Sequence, residues 1–463
     1  MTTFFVSALV LAAGQGDPDI TSLRWVKELR PGVYYRQEIH FDRPLVIHSL
    51  KFRYPSDAVR FETMTAKDRI FAPAGTTTNR ETVSSMAERA GAFAALNADF
   101  FGMDGDPLGL FISRGDLLSE PFPSRTTVAW ADSALVFDEP SWSGSVTLPN
   151  GAELELDGIN RAVRPGELIL VTPRGGRVYS KPPAYMFVCE TDSPADPLGE
   201  TLLRFKYVVS ETHNFEVPDG HLVIAAAKGR HRPFMNALVR NSDWKLRITL
   251  RGRANYSVIT EAISGGPRLV RDGKPAVNPL RERFPPGFAS AAHPRTALGV
   301  TEHRNVVLAV VDGRSSISGG VSLEELAKIM IRLGCVDAVN LDGGGSSTLY
   351  IAGSIINRPS GGLQRPVANA LLLYLAPRPE ADTGIRIVAK TAQLRPGDAT
   401  TLKVKDENGQ AVSNDGVFWI CEGRAAWIDQ GGKVRALSPG RVRIRALARG
   451  AEATLAIIVA SGA

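Results

Sequence analysis

The sequence predicts an α+β protein, in which a strand-rich domain with a mixed sheet and packed helices precedes a small all-β sandwich. Three observations lead to this prediction. Glycine and proline, with 44 and 30 of 463 residues, indicate many turns between short strands. Two amphipathic patterns with capping signals indicate helices in the larger part. Roughly the last 80 residues consist of short segments that alternate apolar and polar side chains, as in β-sandwiches.

The length and two composition shifts divide the chain. A chain of 463 residues is too long for a single core, so two or three folding units are expected. The apolar run Phe4–Ala13 is too short to span a bilayer, and small residues follow it, which predicts a signal peptide over residues 1–16. The Pro-rich polar stretch 377–384 is interpreted as a linker. We therefore predict an exported protein with a large domain over 25–376 and a sandwich over 385–460.

Charge and cysteine content exclude some classes of function. The net charge is +6, but both signs are interspersed without a basic block, so nucleic acid is not an expected partner. The three cysteines, Cys189, Cys335 and Cys421, are far apart and lack the spacing of zinc ligands. We expect free buried thiols and neither a disulfide framework nor a cofactor.

Two helices are predicted in the large domain. In each, a Ser or Thr precedes a Glu by three residues, which is the pattern of a capping box, and a glycine follows the apolar pattern as a C-terminal cap. The pairs are Thr78 with Glu81, before a helix that ends at Ala90 and Gly91, and Ser322 with Glu325, before a helix that ends at Gly334. The expected buried stripes are Val83, Met86, Ala87 and Ala90 in the first helix, and Leu323, Leu326, Ala327, Met330 and Leu333 in the second.

The same pattern, Gly-x5-Asn-x-Asp-x-x-Gly, follows both helices. It begins at Gly91 in one copy and at Gly334 in the other, and each copy lies on a strand that leaves its helix. A duplicated helix-strand unit that ends in polar residues predicts two strand ends meeting at one pocket. In the first copy, Asn97 and Asp99 could bind sugar hydroxyls or cap the junction between strand and loop, and spacing alone does not separate these roles.

A buried strand that ends at charged residues precedes the second copy. The β-branched run from Val306 ends at Asp312 and Arg314; the second helix follows, and then the strand that carries Asn340 and Asp342. The order strand, helix, strand predicts parallel strands whose carboxyl ends share one sheet edge, where ligands bind. The two carboxylates would be separated by ~4.8 Å if the strands are adjacent, and by about twice that across one intervening strand. Either distance suits acid-base or nucleophilic chemistry at a glycosidic carbon.

A glycine loop beside these carboxylates predicts an anion site. Glycines permit backbone angles that turn N–H groups toward an oxyanion, and guanidinium groups bind phosphate bidentately. Of the four arginines near turn residues, 268, 295, 314 and 365, we single out only Arg295 and Arg314, and His293 is interpreted as structural. The loop residues expected to bind phosphate are Gly343, Gly344, Gly345 and Ser346.

The motifs, taken together, resemble the phosphodiester glycosidase family. They are ALNADFFG, AISGGPRLVRDGK, HPRTALGVT, VVDGRS, GVSLEELAKIMIRLG, AVNLDGGGSST and NRPSGGLQRPVANALLLY, in the order found in that family, from about Leu29 to Leu375. The C-terminal segment resembles bacterial immunoglobulin-like modules of group 2 through LRPGD, DENGQAV, Trp419 and AWIDQGGKVRALSPGRVRIRA. In that family such modules are spacers or adhesive elements of exported proteins.

The first resemblance implies hydrolysis between an anomeric carbon and a phosphate oxygen, releasing a sugar and a phosphomonoester. Carried onto this chain, it makes Asp312, Asp342 and Arg314 the catalytic residues. Arg295 and the glycine loop would bind phosphate, and Asn97, Asp99 and Asn340 would bind substrate. The expected substrate is a phosphorylated glycan of the cell envelope or the extracellular space, and the Ig-like module would bind a cell-surface polymer.

Three alternatives stay open from the sequence. The chain could be an envelope protein that binds glycans without turnover. It could hydrolyse glycans that lack phosphate, with Asp312 and Asp342 as an ordinary acid and nucleophile. A hard divalent cation could also be held by Asp99, Asp312 and Asp342.

Overall fold

The computed structural model describes residues 21–71, 79–132, 135–191, 198–376 and 384–461. Strands dominate these ranges. The α-helices described are Val83–Ala90, Arg232–Asn236 and Leu323–Arg332, and the 3-10 turns are Ala66–Asp68, Gly344–Ser346 and Asn414–Gly416. The prediction of a strand-rich protein is therefore right, but the molecule is mostly β rather than α+β. The predicted signal peptide and most of the predicted linker lie outside the described residues.

The centre of the large domain is formed by two sheets that share one apolar core. The first sheet has eight strands, in the spatial order Ser22–Arg30, Val33–His40, Leu45–Arg53, Asn305–Val311, Arg295–Thr301, Cys335–Asn340, Arg268–Arg271 and Lys274–Pro275. The other central sheet has five, in the order Ser354–Ile355, Leu349–Ile351, Ala94–Asn97, Asn369–Leu375 and Val59–Thr65. Burial of apolar side chains between such faces is the main stabilising contribution to a fold of this kind.

One helix covers the outer face of each central sheet. Leu323, Leu326 and Met330 pack with the outward-facing residues of the first sheet, as the predicted stripe requires. Val83 and Met86 pack in the same way on the other sheet. The central part of the domain therefore has four layers, helix, sheet, sheet and helix. The described helices are nonetheless few beside the strands, which explains why the α+β prediction overstated them.

The two capping predictions have different outcomes. Ser322 accepts a hydrogen bond from the Glu325 N–H at 3.2 Å, and the Glu325 carboxylate accepts one from the Ser322 N–H at 2.8 Å, so this capping box is confirmed. The first helix is capped by Thr82, which accepts from the Ser85 N–H at 3.3 Å. Glu81 instead pairs with Arg89, and Thr78 lies outside the described residues. Because Thr82 is four positions later, the helix is one turn shorter than predicted.

Two further sheets extend the large domain. A five-stranded sheet packs on the shared core, and its other face forms a second core with an eight-stranded sheet. The five strands are Asp116–Ser119, Phe111–Ser113, Glu261–Gly265, Thr126–Trp130 and Val136–Asp138. The eight are Glu153–Glu155, Ser141–Thr147, Asp243–Arg251, Gly199–Glu216, Arg177–Thr191, His221–Ala227, Leu168–Val171 and Gly158–Ile159.

The C-terminal unit is a β-sandwich, as the alternating pattern predicts. One sheet contains Ile385–Ala389, Ala399–Asp406, Lys433–Ala436 and Ala426–Ile428, with Ala411–Val412 paired to the second of these. The other contains Gln393–Leu394, Ala451–Val459, Gly440–Ala448 and Phe418–Glu422. Trp419 is fully buried in the core between them. No helix in the described ranges is long and apolar enough to cross a membrane.

The sandwich docks directly on the large domain. Phe418 and Ile420 belong to the shared core of that domain, and the Phe418 ring lies 5.0 Å from the ring of Tyr35 in an edge-to-face arrangement. The Gln430 N–H donates to the Gln37 side chain at 2.9 Å. Apolar burial together with buried hydrogen bonds holds the two units as packed neighbours.

Candidate active site

Three strands of the first sheet bring the predicted residues to one edge. The strands Asn305–Val311 and Cys335–Asn340 both pair antiparallel with Arg295–Thr301, which lies between them. They are therefore parallel to each other with one strand intervening, the wider of the two predicted arrangements. Neighbouring strands of this sheet are antiparallel throughout. The mixed pairing predicted for the large domain occurs instead in its eight-stranded extension, where Gly158–Ile159 pairs parallel with Leu168–Val171. Asp312 and Asp342 follow the carboxyl ends of the outer two strands, and Arg295 begins the middle one.

The two copies of the repeated pattern meet at this edge. The Asp342 N–H donates to the Ala98 carbonyl at 3.0 Å, and the Asn97 side chain donates to the Asp342 carbonyl at 2.6 Å. The Asn97 side-chain oxygen accepts from the Thr296 hydroxyl and from the Thr348 N–H, both at 3.0 Å. With its side chain fully engaged and buried, Asn97 matches the second of its two predicted roles, the cap of a strand-loop junction.

Asp342 is a partly exposed carboxylate with a perturbed pKa. Burial of the carboxyl group raises its pKa from 3.8 to about 6, although the Ser346 hydroxyl, the Arg365 guanidinium and the Gly343 N–H all favour the charged form. The Gly343 N–H donates to Oδ1 at 2.9 Å. A carboxylate that gains and loses its proton near neutral pH is suited to proton transfer in catalysis.

Two guanidinium groups lie on the glycine loop that follows Asp342. A Cβ placed on Gly344 would lie 3.3 Å from Nη2 of Arg314, and one placed on Gly345 would lie 2.5 Å from Nη2 of Arg365. Gly344 also has a φ of +64°, which disfavours other residues. The absence of side chains thus lets both arginines approach the backbone. Arg314 and Arg365 are exposed, and neither forms an ion pair within the part of the chain that the structure describes.

The sequence analysis selected Arg295 and not Arg365 as a phosphate ligand. In the structure Arg365 is exposed on the glycine loop, whereas Arg295 is buried. Arg295 is buried and donates to the carbonyls of Val321 at 3.1 Å and Ala291 at 2.7 Å. Burial, followed by the charge of Arg314, lowers its pKa to about 10. Burial and the charges of Arg314 and Arg295 also lower the pKa of the nearby His293. Arg295 therefore supports the loops beneath Arg314 and adds positive potential to the site.

Asp312 has a different environment from Asp342. Its side chain is buried; Oδ1 accepts from the Arg358 N–H at 2.9 Å and from the Asn357 amide at 3.2 Å. Its Oδ2 lies 3.4 Å from Nε2 of His48. The Asn357 amide also donates to the Ser347 carbonyl at 3.0 Å. In this arrangement Asp312 positions the segment that supports the glycine loop. The sequence led us to expect Asp312 to face solvent across from Asp342, and it does not.

Asp99 and Asn340 are buried beside Asp342. Asp99 accepts from the Ser264 N–H at 3.0 Å and from the Asn369 amide at 2.9 Å. Burial raises its pKa well above the usual range; Asn369, Ser264 and the Arg125 charge oppose this, and the charge of Asp342 adds to it. The Asn340 amide donates to the Gly266 carbonyl at 2.7 Å, whereas its side-chain oxygen has no hydrogen-bond partner among the described residues.

An aromatic cluster continues the site from Asp99. The Phe100 ring lies 5.4 Å from Phe284 and 6.0 Å from Phe288, and the last two rings are stacked at 4.6 Å. The Arg125 guanidinium lies 4.4 Å from the Phe284 ring. Phe100 and Phe288 are partly exposed. Phe100 lies in the motif ALNADFFG, but no sequence pattern relates it to Phe284 and Phe288, which come from a separate loop.

The metal alternative has no support in the geometry. Within the described ranges, no group of three or more His, Cys, Asp or Glu side chains is arranged to hold a metal ion. The three aspartates proposed for this role, Asp99, Asp312 and Asp342, are instead each bound by different hydrogen-bond donors. Arg268, the remaining arginine near a turn, pairs with Asp337 away from the glycine loop.

Family comparison agrees with the resemblance that the motifs predict. Residues 205–374 match the phosphodiester glycosidase family. This glycosidase domain match contains Asp312, Arg314 and Asp342, and Asn97 and Asp99 precede it. Residues 381–458 match the bacterial Ig-like domain of group 2. Both predicted resemblances are confirmed.

Individual relatives match parts of this chain. The SPbeta prophage-derived uncharacterized protein YomE of Bacillus subtilis (strain 168) is 34% identical over 159 residues, which are 34% of this chain and 22% of that protein. The N-acetylglucosamine-1-phosphodiester alpha-N-acetylglucosaminidase of Bos taurus is 37% identical over 73 residues, 16% of this chain and 14% of the enzyme. The chain thus covers about a fifth or less of these relatives.

A solved structure shares the fold. The crystal structure of a hypothetical protein from Synechocystis superposes with a TM-score of 0.62 at 22% sequence identity, covering 76% of this chain and 63% of that one. At this identity the similarity concerns the fold alone.

Proposed function

We propose that this protein hydrolyses the bond between the anomeric carbon of a sugar and a phosphodiester oxygen. The observation that carries the proposal is the environment of Asp342: a carboxylate with a pKa near 6 precedes a glycine loop on which Arg314 and Arg365 lie. The carboxylate provides proton transfer, and the two arginines provide the positive charge that a phosphate leaving group requires. The match to the phosphodiester glycosidase family supports the same reaction.

In the proposed step, Asp342 in its charged form accepts a proton from a water molecule that attacks the anomeric carbon. A new carbon-oxygen bond forms, the bond from the anomeric carbon to the phosphoryl oxygen breaks, and its electron pair stays on that oxygen. The products are a free sugar and a phosphomonoester. Because the phosphoryl oxygen leaves as a stabilised anion, Arg314 and Arg365 replace the general acid that an ordinary glycosidase needs.

The aromatic cluster is suited to bind the sugar, which lies on the opposite side of the scissile bond from the phosphate. Phe100 follows Asp99 directly, and Phe288 lies 5.6 Å from the guanidinium of Arg295. Partly exposed aromatic rings offer an apolar face of the kind that a pyranose ring can cover. We assign the sugar to the rings of Phe100 and Phe288 and the phosphate to the glycine loop.

We further propose that the substrate is a phosphorylated glycan of the cell envelope or the extracellular space. The group 2 Ig-like match supports this location. The apolar run near the N-terminus predicts export, in agreement with such a substrate.

The test is hydrolysis of a panel of methyl-phospho-sugars and UDP-N-acetylglucosamine, followed by the release of free sugar. Native protein should release sugar from at least one member, and an Asp342→Asn variant should not. Binding of phosphorylated glycans without turnover by the native protein would replace this proposal with that of a glycan-binding protein. Turnover of sugars that lack phosphate, insensitive to inorganic phosphate, would identify an ordinary glycoside hydrolase.

A further inference from the structure

The positive charge of the chain is concentrated in the sandwich. Residues 385–460 contain 12 Lys and Arg and 7 Asp and Glu, a net charge of +5, whereas the whole chain has +6. No basic block is visible in the sequence, because the cations are spread over several strands that become neighbours only in the folded sheets. The sandwich is therefore basic, and the rest of the chain is close to neutral.

Five of these cations lie on the solvent side of one sheet. Ile387, Val404 and Val434 point into the core of the sandwich, so the residues on either side of each, in strands of period two, face outward. The outward positions of these three strands, all among the described residues, carry no acidic side chain. We call this surface the basic face, and its cations are Arg386, Lys403, Lys405, Lys433 and Arg435.

Like charges are neighbours on the basic face. Arg386 lies directly opposite Lys405 in the adjacent antiparallel strand, and Lys403 is two positions from Lys405 on the same side of the sheet. Because the two strands are ~4.8 Å apart and residues i and i+2 are separated by about 6.8 Å, these three charges repel one another. Arg386 and Lys403 are exposed and Lys405 is partly exposed, so all three are accessible to a partner.

The other sheet of the sandwich neutralises its cations. Arg443 pairs with Glu422, and Arg445 pairs with Glu452 at 2.7 Å. This sheet carries Phe418, which docks on the large domain. Protein surfaces usually intersperse both signs of charge in this way, and a field of one sign is typical of a surface that attracts a charged partner.

The acids beside the basic face do not neutralise it. Asp429 is buried and accepts from the Lys433 N–H at 3.0 Å, and Glu407 accepts from the Gly384 N–H at 2.7 Å. Neither carboxylate forms an ion pair with a cation of the face, and none of the five cations has such a partner in the part of the chain that the structure describes. The face thus lacks counter-charges of its own.

We propose that the basic face binds a linear polymer whose charges are phosphodiester groups. Lys binds phosphate as a point charge and Arg binds it bidentately. A polyanion on this face relieves the repulsion among its cations and releases its own condensed counterions, which favours binding. The choice of phosphodiester groups rests on the proposed function, because a phosphorylated glycan of this class contains the bond on which Asp342 would act. The Ig-like unit then holds the polymer for the large domain.

Binding can be measured by calorimetry on the full chain, with poly(glycerol phosphate) as the probe. Binding should be saturable and should weaken with salt, with a slope of log K against log salt of about −3 for four or five contacts. Polygalacturonate and double-stranded DNA, at equal concentrations of charge, should bind more weakly. Absence of saturable binding of the probe overturns the proposal. Equal or tighter binding of the carboxylate polymer or of the DNA also overturns it.

Charge-removing variants locate the surface. A chain with both Lys403→Gln and Lys405→Gln should bind the probe about tenfold more weakly in about 50 mM salt, and the slope should become shallower by about 1.4. Its thermal midpoint should stay the same or rise, because the like-charge opposition with Arg386 is removed. Native affinity in this variant would overturn the proposal.

A matched control removes the same charge from the large domain. Lys228 and Arg251 are both exposed there, and a chain with Lys228→Gln and Arg251→Gln should bind the probe as the native protein does. Equal weakening in this control would show an effect of net charge alone and would overturn the assignment to the basic face.

A further variant separates the basic face from the active site. Asp342→Asn should bind the probe with native affinity, and loss of binding in that variant would place the polymer in the active site and overturn the proposal. Binding of the probe without hydrolysis of the sugar panel contradicts only the proposed function. Hydrolysis without binding of the probe contradicts only the basic face, so the two failures are distinguishable.

Discussion

Two aspartates end two parallel strands of one sheet, and their surroundings differ in kind. Asp342 is partly exposed, is followed by a loop of glycines, and has a pKa near 6. Asp312 is buried and accepts hydrogen bonds from Asn357 and the Arg358 N–H. The first carboxylate can meet a substrate, whereas the second is buried, with its Oδ1 bound by Asn357 and Arg358 and its Oδ2 without a hydrogen-bond partner among the described residues. Position on a sheet edge therefore does not decide whether a residue reacts; the groups that cover it do.

The strongest test of this difference is the loss of each carboxylate in turn. Asp342→Asn should lower kcat about 10³-fold, within the usual range for a general base, with KM nearly unchanged because the loss is in the transition state. Asp312→Asn should lower kcat tenfold or less in protein that remains folded. Asp57→Asn, at an exposed position, is the control. A fall in kcat for Asp312→Asn as large as for Asp342→Asn, with normal stability, would contradict the assignment.

Substitution of Arg365 tests whether the glycine loop beside Asp342 binds the phosphate. Arg365→Ala should lower kcat/KM for a phosphodiester substrate about 10²-fold, because a charge that stabilises the leaving group is lost. Arg365→Lys should recover part of this loss, since Lys keeps the charge without the bidentate geometry. Steady-state kinetics at constant ionic strength measure both variants. Arg251→Ala removes an exposed charge elsewhere, and a similar loss in that variant would show a mere effect of net charge.

Stability should change with opposite signs at the two aspartates. Asp312 accepts two hydrogen bonds, and the Asp312→Asn substitution places an N–H₂ donor in the same buried position. We therefore expect the free energy of unfolding to fall by about 2–3 kcal/mol. Asp342→Asn removes a desolvated charge, so we expect the free energy of unfolding to rise by about 1–2 kcal/mol at pH 7.5. Denaturant unfolding measures both. Destabilisation by Asp342→Asn at this pH would contradict the raised pKa of the native carboxyl group.

The smallest expected effect, and the one most specific to Asp342, is the pH dependence of stability and of kcat/KM. Because the folded-state pKa of Asp342 is raised from 3.8 to about 6, its contribution to stability is fully present below about pH 4 and is lost as the pH rises through 6. The gain from Asp342→Asn should therefore vanish near pH 4. As a base, Asp342 must be charged, so kcat/KM should rise with pH to a plateau above about 6. A fall over the same interval would make Asp342 a general acid.

Short-range features of the fold could be predicted from the sequence. The Ser322 capping box, the buried stripe after it and the shared edge of Asp312 and Asp342 all follow from local spacing and the rule for strand-helix-strand units. The contact between the two repeated patterns was also predicted, and it is made by Asn97 and the backbone of Asp342. The Thr78 cap was wrong because Thr82 offers an equivalent hydroxyl nearer the apolar residues.

Long-range contacts could not be predicted in this way. Asp312 is covered by Arg358, 46 residues later, and no local pattern indicates that the two meet. Arg365 reaches Gly345 from a loop without a regular period, whereas Arg295, next to a strand, is turned toward backbone carbonyls. Side-chain direction at a strand end depends on the packing of distant segments, which a single sequence does not display.

The docking of the sandwich constrains how this protein can be rearranged. Phe418 and Ile420 complete the core of the large domain, and Arg358 joins the carbonyls of the sandwich to Asp312 through its own backbone. A chain cut before residue 385 would expose an apolar face and release a segment that supports the glycine loop. The two units thus behave as one structural piece, and a module exchange at the linker would have to replace both faces of the contact together.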